Sequence, residues 1–169
     1  MPDVVVHDVP SRLVYFEDLT EGERHETATR TVTETDVVNF AGLSGDYNRL
    51  HFDAEFAAYA PFGERVAHGL LVLSIASGLC TRLPLSEAMQ ENILGLLDLQ
   101  CRWPGPTRLG DTIHVVLTVT DAAPTLSHGR GVVTMTRDVV NQRGETVMAS
   151  TWKLLVRRRP AVEQNGHDR

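Results

Sequence analysis

The sequence predicts an α+β fold in which a curved antiparallel sheet wraps around one long central apolar helix. Three observations predict it. Residues 69–80, "GLLVLSIASGLC", are apolar on every face of a helix, a pattern that suits an enclosed helix better than a surface one. From residue 93 onward the pattern changes to strands, joined by connections too short for helical crossovers, so the sheet must be antiparallel. One apolar helix and one such sheet bury each other most economically when the sheet curves. The edge or face left open predicts a homodimer or a dimer-based oligomer.

Each element follows from local pattern. "RHETATRTVT" over residues 24–33 alternates and is rich in threonine, which suits a strand. Thr33 and Asp36 then form a capping-box pair, and Val37, Val38, Phe40 and Ala41 supply the apolar stripe of a short helix. "DAEFAAYA" reads as another short helix with Asp53 as N-cap, ended by Pro61 and Gly63. After the apolar helix and a loop over residues 84–91, residues 93–102 form a strand. In "DTIHVVLTVTD", Ile113, Val115, Leu117 and Val119 share one face. "GVVTMTRDVV" and "TVMASTWKLLV" flank the turn "NQRG" as a hairpin. No repeat or linker divides the chain, so residues 1–156 are expected to form a single domain and residues 157–169 a flexible polar tail. Arg157, Arg158 and Arg159 are read as part of that solvated end.

Composition narrows the function. A net charge of −6 argues against a general nucleic-acid binder, which needs a basic surface. The apolar run is shorter than the roughly 20 residues that span a bilayer, so no membrane partner is expected. "MPDVVVHDVP" places acids where a secretory leader needs basic residues, and the expected location is cytoplasmic. Cys80 and Cys101 lie in apolar segments without ligand spacing and read as buried, reduced thiols. His114 points outward from a strand, and His7, His25, His128 and His167 read as structural or solvated.

The stretch that concentrates chemistry is "SGDYNRLHFD", residues 44–53. Gly45 and Asn48 are turn residues that would let the chain curl until Asp46 and His51 converge. A carboxylate and an imidazole sharing one water can act as base and acid in a single step, and Asn48 has a donor and an acceptor to position them. On composition alone the same residues make an ordinary polar turn. A second feature is Gly69, at the head of the apolar helix, where backbone NH groups have no helical partner and the dipole is positive. Its missing side chain would admit a ligand oxygen such as a thioester enolate, or would simply ease tight packing.

Together "SGDYNRLHFD" and "RVAHGLLVLSIASGL" resemble the hydratase motif of the MaoC-like family, the R-specific enoyl-CoA hydratases of the hotdog fold. That motif runs G-D-x-N-P-x-H, followed by His-Gly at the central helix. "CRWPGPTRLGDTI" resembles the family's strand-Pro-turn-Gly-Asp segment, so the likeness covers residues 15–156. The resemblance implies reversible syn addition of water to a trans-2-enoyl thioester, giving the R-3-hydroxyacyl product. It implies Asp46 and His51 as the catalytic pair, the Gly69 NH on the thioester oxygen, and Ser77 as the helix serine near the site. It implies an acyl-CoA or acyl-carrier thioester as substrate and no cofactor. Arg49 departs from the motif's proline; it gives up a stiff loop and adds a cation that could meet a CoA phosphate, an acidic acyl group or solvent.

His68 could join Asp46 and His51 as a third metal ligand, or line the substrate site. No second carboxylate or paired-His spacing supports a metal, and none is expected. A thioesterase on the same fold is disfavoured because residues 69–83 contain no Asp or Glu, where hotdog thioesterases usually keep their carboxylate. A non-catalytic acyl-CoA-binding subunit is the reading from a different class; it would have no need of a water-activating pair.

Overall fold

The computed structural model describes residues 13–125 and 129–160. His7, His128, His167 and the end of the tail from residue 161 lie outside the described residues.

Six strands form one sheet: β1 Arg24–Glu26, β2 Arg30–Thr31, β3 Ile93–Arg102, β4 Thr112–Pro124, β5 Arg130–Asn141 and β6 Thr146–Arg157. Their order is β1-β4-β5-β6-β3, with β2 also on β4, and every pairing is antiparallel. The predicted hairpin is β5–β6, closed by a turn in which Gly144 takes φ 78°, a left-handed conformation that suits glycine. The helices are α1 Glu34–Ser44, α2 Arg49–Phe52, α3 Ala54–Ala58, α4 Gly69–Cys80 and α5 Pro84–Met89.

The core lies between the concave sheet face and α4. Ile113, Val115, Leu117 and Val119 of β4 and Val133, Met135 and Val139 of β5 meet Leu71, Val72, Ile75, Ala76, Leu79 and Cys80. Each fully buried Val, Leu or Ile there contributes about 1.5–3 kcal/mol, so this face sets the register of the sheet against the helix.

Several expectations need correction. The helix is not enclosed on all sides: Leu70, Ser74 and Gly78, spaced by four, form an exposed stripe, because the sheet covers only the opposite face. The 24–33 strand is two short pieces. Thr27 interrupts it, since its Oγ1 accepts from Val115 NH at 2.9 Å, taking the place of a ladder carbonyl. Val38 is exposed, leaving Val37 and Ala41 as the buried stripe of α1. The expected loop at 84–91 is α5 and a 3-10 turn, started by Pro84 in the first turn, where its missing NH costs nothing. Cys101 is only half-buried. His25 is buried and bonds Glu23 Oε1 at 2.8 Å. Arg157 ends β6, while Arg158 and Arg159 bind Glu17 and Asp18, so the ordered chain continues past residue 156.

Edge strand β3 exposes Ile93, Leu94, Leu96 and Leu97, with register shifts between Ile93 and Gly95 and between Leu96 and Asp98. No single helix among the described residues is long and apolar enough to cross a membrane.

Candidate active site

A chain of caps builds the polar segment. Thr33 opens α1 with the predicted capping box to Asp36. Gly45 ends it at φ 76°, its NH bonding Ala41 O at 2.8 Å, and this left-handed residue turns the chain back across the helix end. Asp46 Oδ1 then accepts from Asn48 NH at 3.2 Å, and Asn48 Oδ1 accepts from Leu50 NH at 3.0 Å to cap α2. His51 therefore sits on a helical turn that the sequence reading did not foresee. Asp53 caps α3 as expected, accepting from Phe56 NH at 2.9 Å.

His51 Nδ1 lies 2.7 Å from the carbonyl oxygen of Val66. A carbonyl only accepts, so Nδ1 carries the proton and the Nε2 lone pair is left for chemistry. By the same reasoning His68 Nε2–H donates to the backbone carbonyl of Asp46 at 2.9 Å, tying the head of the central helix to the polar segment. The two imidazoles stack at 3.8 Å with a 33° tilt, flanked by Phe40 at 5.0 Å. His68 is 3% exposed, and its Nδ1 has no hydrogen-bond partner. One ligand atom each from Asp46, His51 and His68 lie within 4.8 Å of one another. The curl expected from Gly45 and Asn48 thus occurs, and it converges on His68 as well.

Beside this group is a cavity of about 320 Å³, lined by Leu50, His51, Phe62, Val66, Gly69 and Trp103 among others. That is the size of a small-molecule pocket. Gly69 begins α4, whose first internal bond is Val72 NH to His68 O, so the NH groups of its first turn lack helical acceptors. The Trp103 indole crosses Gly69 and donates from Nε1 to Gly69 O at 3.0 Å. A Cβ on Gly69 would meet Trp103 Cε2 and Nε1 at 2.9 Å, closer than real contacts allow.

Of the other expected residues, Asp46 and His68 lie beside His51 without lining the cavity, and Arg49, Ser77 and Asn48 stand apart from it. Arg49 binds Asp53 Oδ2 through Nε and Nη2 at 3.0 and 2.8 Å, with its guanidinium 4.5 Å from the Phe56 ring centroid. It lines a separate surface depression with Glu55, Phe56, Tyr59 and Ala60. The Phe56 NH that caps onto the Asp53 carboxylate, followed by the Arg49 guanidinium, lowers the pKa of Asp53. Ser77 is half-buried, eight residues and about 12 Å along α4 from Gly69, and does not line the cavity. Asn48 is engaged as the cap of α2. Conversely, Trp103 and Val66 were not foreseen as site residues. The "CRWPGPT" segment signalled a family turn, but nothing in a lone tryptophan showed that its indole returns to the helix head.

A sheet curved around a central helix is the arrangement of the hotdog fold, and here His51 and the head of that helix line one cavity with Asp46 beside His51. A Mycobacterium tuberculosis protein described as having a double hotdog fold superposes with a TM-score of 0.75, over 88% of this chain and 46% of that one, at 19% identity, which speaks for the fold. The family model of the MaoC like domain matches residues 16–142, and the chain belongs to this family. It is 36% identical to an (R)-specific enoyl-CoA hydratase of Rhodospirillum rubrum, over 72% of this chain and 76% of that protein. It is 42% identical to protein MaoC of Klebsiella aerogenes over 62% of this chain, but spans only 30% of that longer protein. A solved structure from Archaeoglobus fulgius, described as a monoamine oxidase regulatory protein, superposes with a TM-score of 0.84 at 38% identity, covering 88% of this chain and 97% of that one.

Proposed function

We propose that this protein is an R-specific enoyl-CoA hydratase, or 3-hydroxyacyl-CoA dehydratase in reverse, adding water syn across a trans-2-enoyl thioester. The observation that carries the reading is the convergence of Asp46 with His51, whose Nε2 is left as a base and whose ring lines a cavity headed by the free NH of Gly69. Water held between the Asp46 carboxylate and His51 Nε2 gives up a proton to this pair as its oxygen bonds to C3. Electron density moves onto the thioester oxygen, where the Gly69 NH and the dipole of α4 stabilise the enolate. The proton held by the pair then passes to C2 on the same face, so one water is consumed and no cofactor is needed. Asn48 acts through the turn that presents His51, and His68 is a positioning residue that holds the Asp46 segment. The substrate is a CoA or acyl-carrier thioester.

A second copy of the chain is the proposed cover for the exposed stripe of α4 and the apolar edge β3, making the working unit a homodimer. Ser77, on the half-open side of α4, would then act from that interface or not at all.

One observation favours a non-catalytic acyl-thioester-binding subunit: the Trp103 indole lies against Gly69, where the thioester oxygen must approach. The deciding experiment follows the loss of enoyl-thioester absorbance with crotonyl-CoA and longer, branched and carboxylated enoyl-CoAs, alongside Asp46→Asn and His51→Ala. Turnover by the parent, reduced about 10²–10⁴-fold in both folded variants, supports hydration. Binding without turnover supports the binding subunit.

A further inference from the structure

We propose that Asp46, His51 and His68 also form a latent site for a zinc-type divalent cation, and that its occupancy switches hydration off. The regulatory half of this proposal rests on the hydratase reading; the binding half does not. The first support is the donor set: a carboxylate and two imidazoles, with ligand atoms within 4.8 Å of one another. Two His and one carboxylate with a further position open is a recurring set for zinc.

The second support is how the imidazoles are held. Metal-bound histidines almost always donate their other ring NH to a carbonyl or carboxylate, which fixes the tautomer and aims the lone pair. Both rings here do so, His51 to Val66 O at 2.7 Å and His68 to Asp46 O at 2.9 Å. The nitrogens that remain, His51 Nε2 and His68 Nδ1, are lone pairs that need lose no proton to bind a cation. His68 Nδ1 is buried without any partner, an arrangement that leaves an acceptor unsatisfied and calls for a ligand. Hydration by itself does not require that atom, since His68 already positions the Asp46 segment through Nε2.

Bonds of about 2.0–2.2 Å put neighbouring donors of a tetrahedral ion roughly 3.3–3.5 Å apart, so donors up to 4.8 Å apart must close by as much as about 1.5 Å. The exposed Asp46 side chain supplies part of that movement, and the two stacked imidazoles must tilt further apart for both lone pairs to point at one ion. Once bound, the cation occupies the His51 lone pair and the Asp46 carboxylate together, and the substrate water loses both of its partners. Softer, nitrogen-seeking ions are selected over magnesium and calcium, which prefer all-oxygen shells.

The test uses the untagged full chain, stripped with EDTA and desalted. Cobalt(II) is added as a spectroscopic probe, zinc(II) is titrated by calorimetry, and crotonyl-CoA hydration is measured in parallel. The expected result is saturable binding of one ion per chain, visible d–d bands of a low-coordinate cobalt site, and at least about tenfold weaker binding in Asp46→Asn and in His68→Gln. Hydration should fall in proportion to occupancy and return on adding EDTA, with magnesium inert. Because His68→Gln could disturb folding, the exposed Asp46→Asn change carries the decision on its own. Absent binding, or binding unaltered by Asp46→Asn, overturns the site even if the stripped protein hydrates enoyl-CoA. Binding with undiminished hydration overturns the switch. Binding by a protein that never hydrates any enoyl-CoA supports the site and sinks the hydratase reading and the switch with it.

Discussion

Replacing Gly69 by alanine should harm the protein through Trp103 and through little else. The new Cβ would lie 2.9 Å from two indole atoms, whereas ordinary carbon contacts sit at about 3.5–4.0 Å, so the ring must retreat by about 0.6–1 Å. Such a shift breaks the 3.0 Å bond from Trp103 Nε1 to Gly69 O, a loss of about 1 kcal/mol. Residual crowding adds about 1 kcal/mol, at the low end for overpacking because Trp103 is 41% exposed and can move outward. The expected destabilisation is therefore about 2 kcal/mol, or a fall in Tm of about 4–8 °C for a chain of this size. The assay is a double-mutant cycle with Trp103→Ala, read by thermal and urea unfolding. In the Trp103→Ala background Gly69→Ala should cost close to nothing, since the methyl then faces open cavity. An equal loss in both backgrounds would refute the close-approach account of this glycine.

Three further outcomes are expected. Asp111 is buried and accepts from Arg143, Gln142 and the Arg108 NH; burial alone would raise its pKa, but these bonds together hold it below the usual carboxylate value. Asp111→Ala should therefore cost about 2–4 kcal/mol in urea unfolding at neutral pH. Because the folded pKa lies below the unfolded value of about 3.9, this stabilisation is complete above that pH and is lost as pH falls through the folded pKa, so parent and variant should converge in acid. At Gly131 a Cβ would fall 2.3 Å from the buried Phe16 ring, which cannot swing to solvent, and Gly131→Ala should cost about 3 kcal/mol by the same unfolding assay. Arg49→Ala, which removes a guanidinium engaged by Asp53 and Phe56 rather than one aimed into the cavity, should leave the ranking of enoyl-CoA substrates unchanged; a lost preference for carboxylated chains would show that it selects them.

How much of this was legible follows from the range of the forces involved. Alternation in β4 and the capping box at Thr33 are local patterns, and both read correctly because burial and capping act within a few residues. The convergence of Asp46 and His51 was legible for the same reason, through Gly45 and Asn48. The partnership with His68 was not: seventeen residues separate His51 from His68, and only the packing of α4 beneath the polar segment stacks their rings. Trp103 was hidden likewise, since its contact with Gly69 spans 34 residues. The apolar run of α4 misled in one respect, because a sequence with no polar face cannot say whether sheet or a second chain covers each side. Resemblance to a family motif singled out residues 44–53 as a unit, but it could not show that Arg49 would be taken up by Asp53 in place of the motif's rigid proline.

The most direct test of the central claim is to run the reaction in D₂O with trans-2-crotonyl-CoA and determine the configuration of the product at C2 and C3 by NMR. The account predicts a 3R-hydroxy thioester carrying one deuterium at C2, delivered to the face that received the hydroxyl. A 3S product, deuterium on the opposite face, or no hydration at all would contradict it.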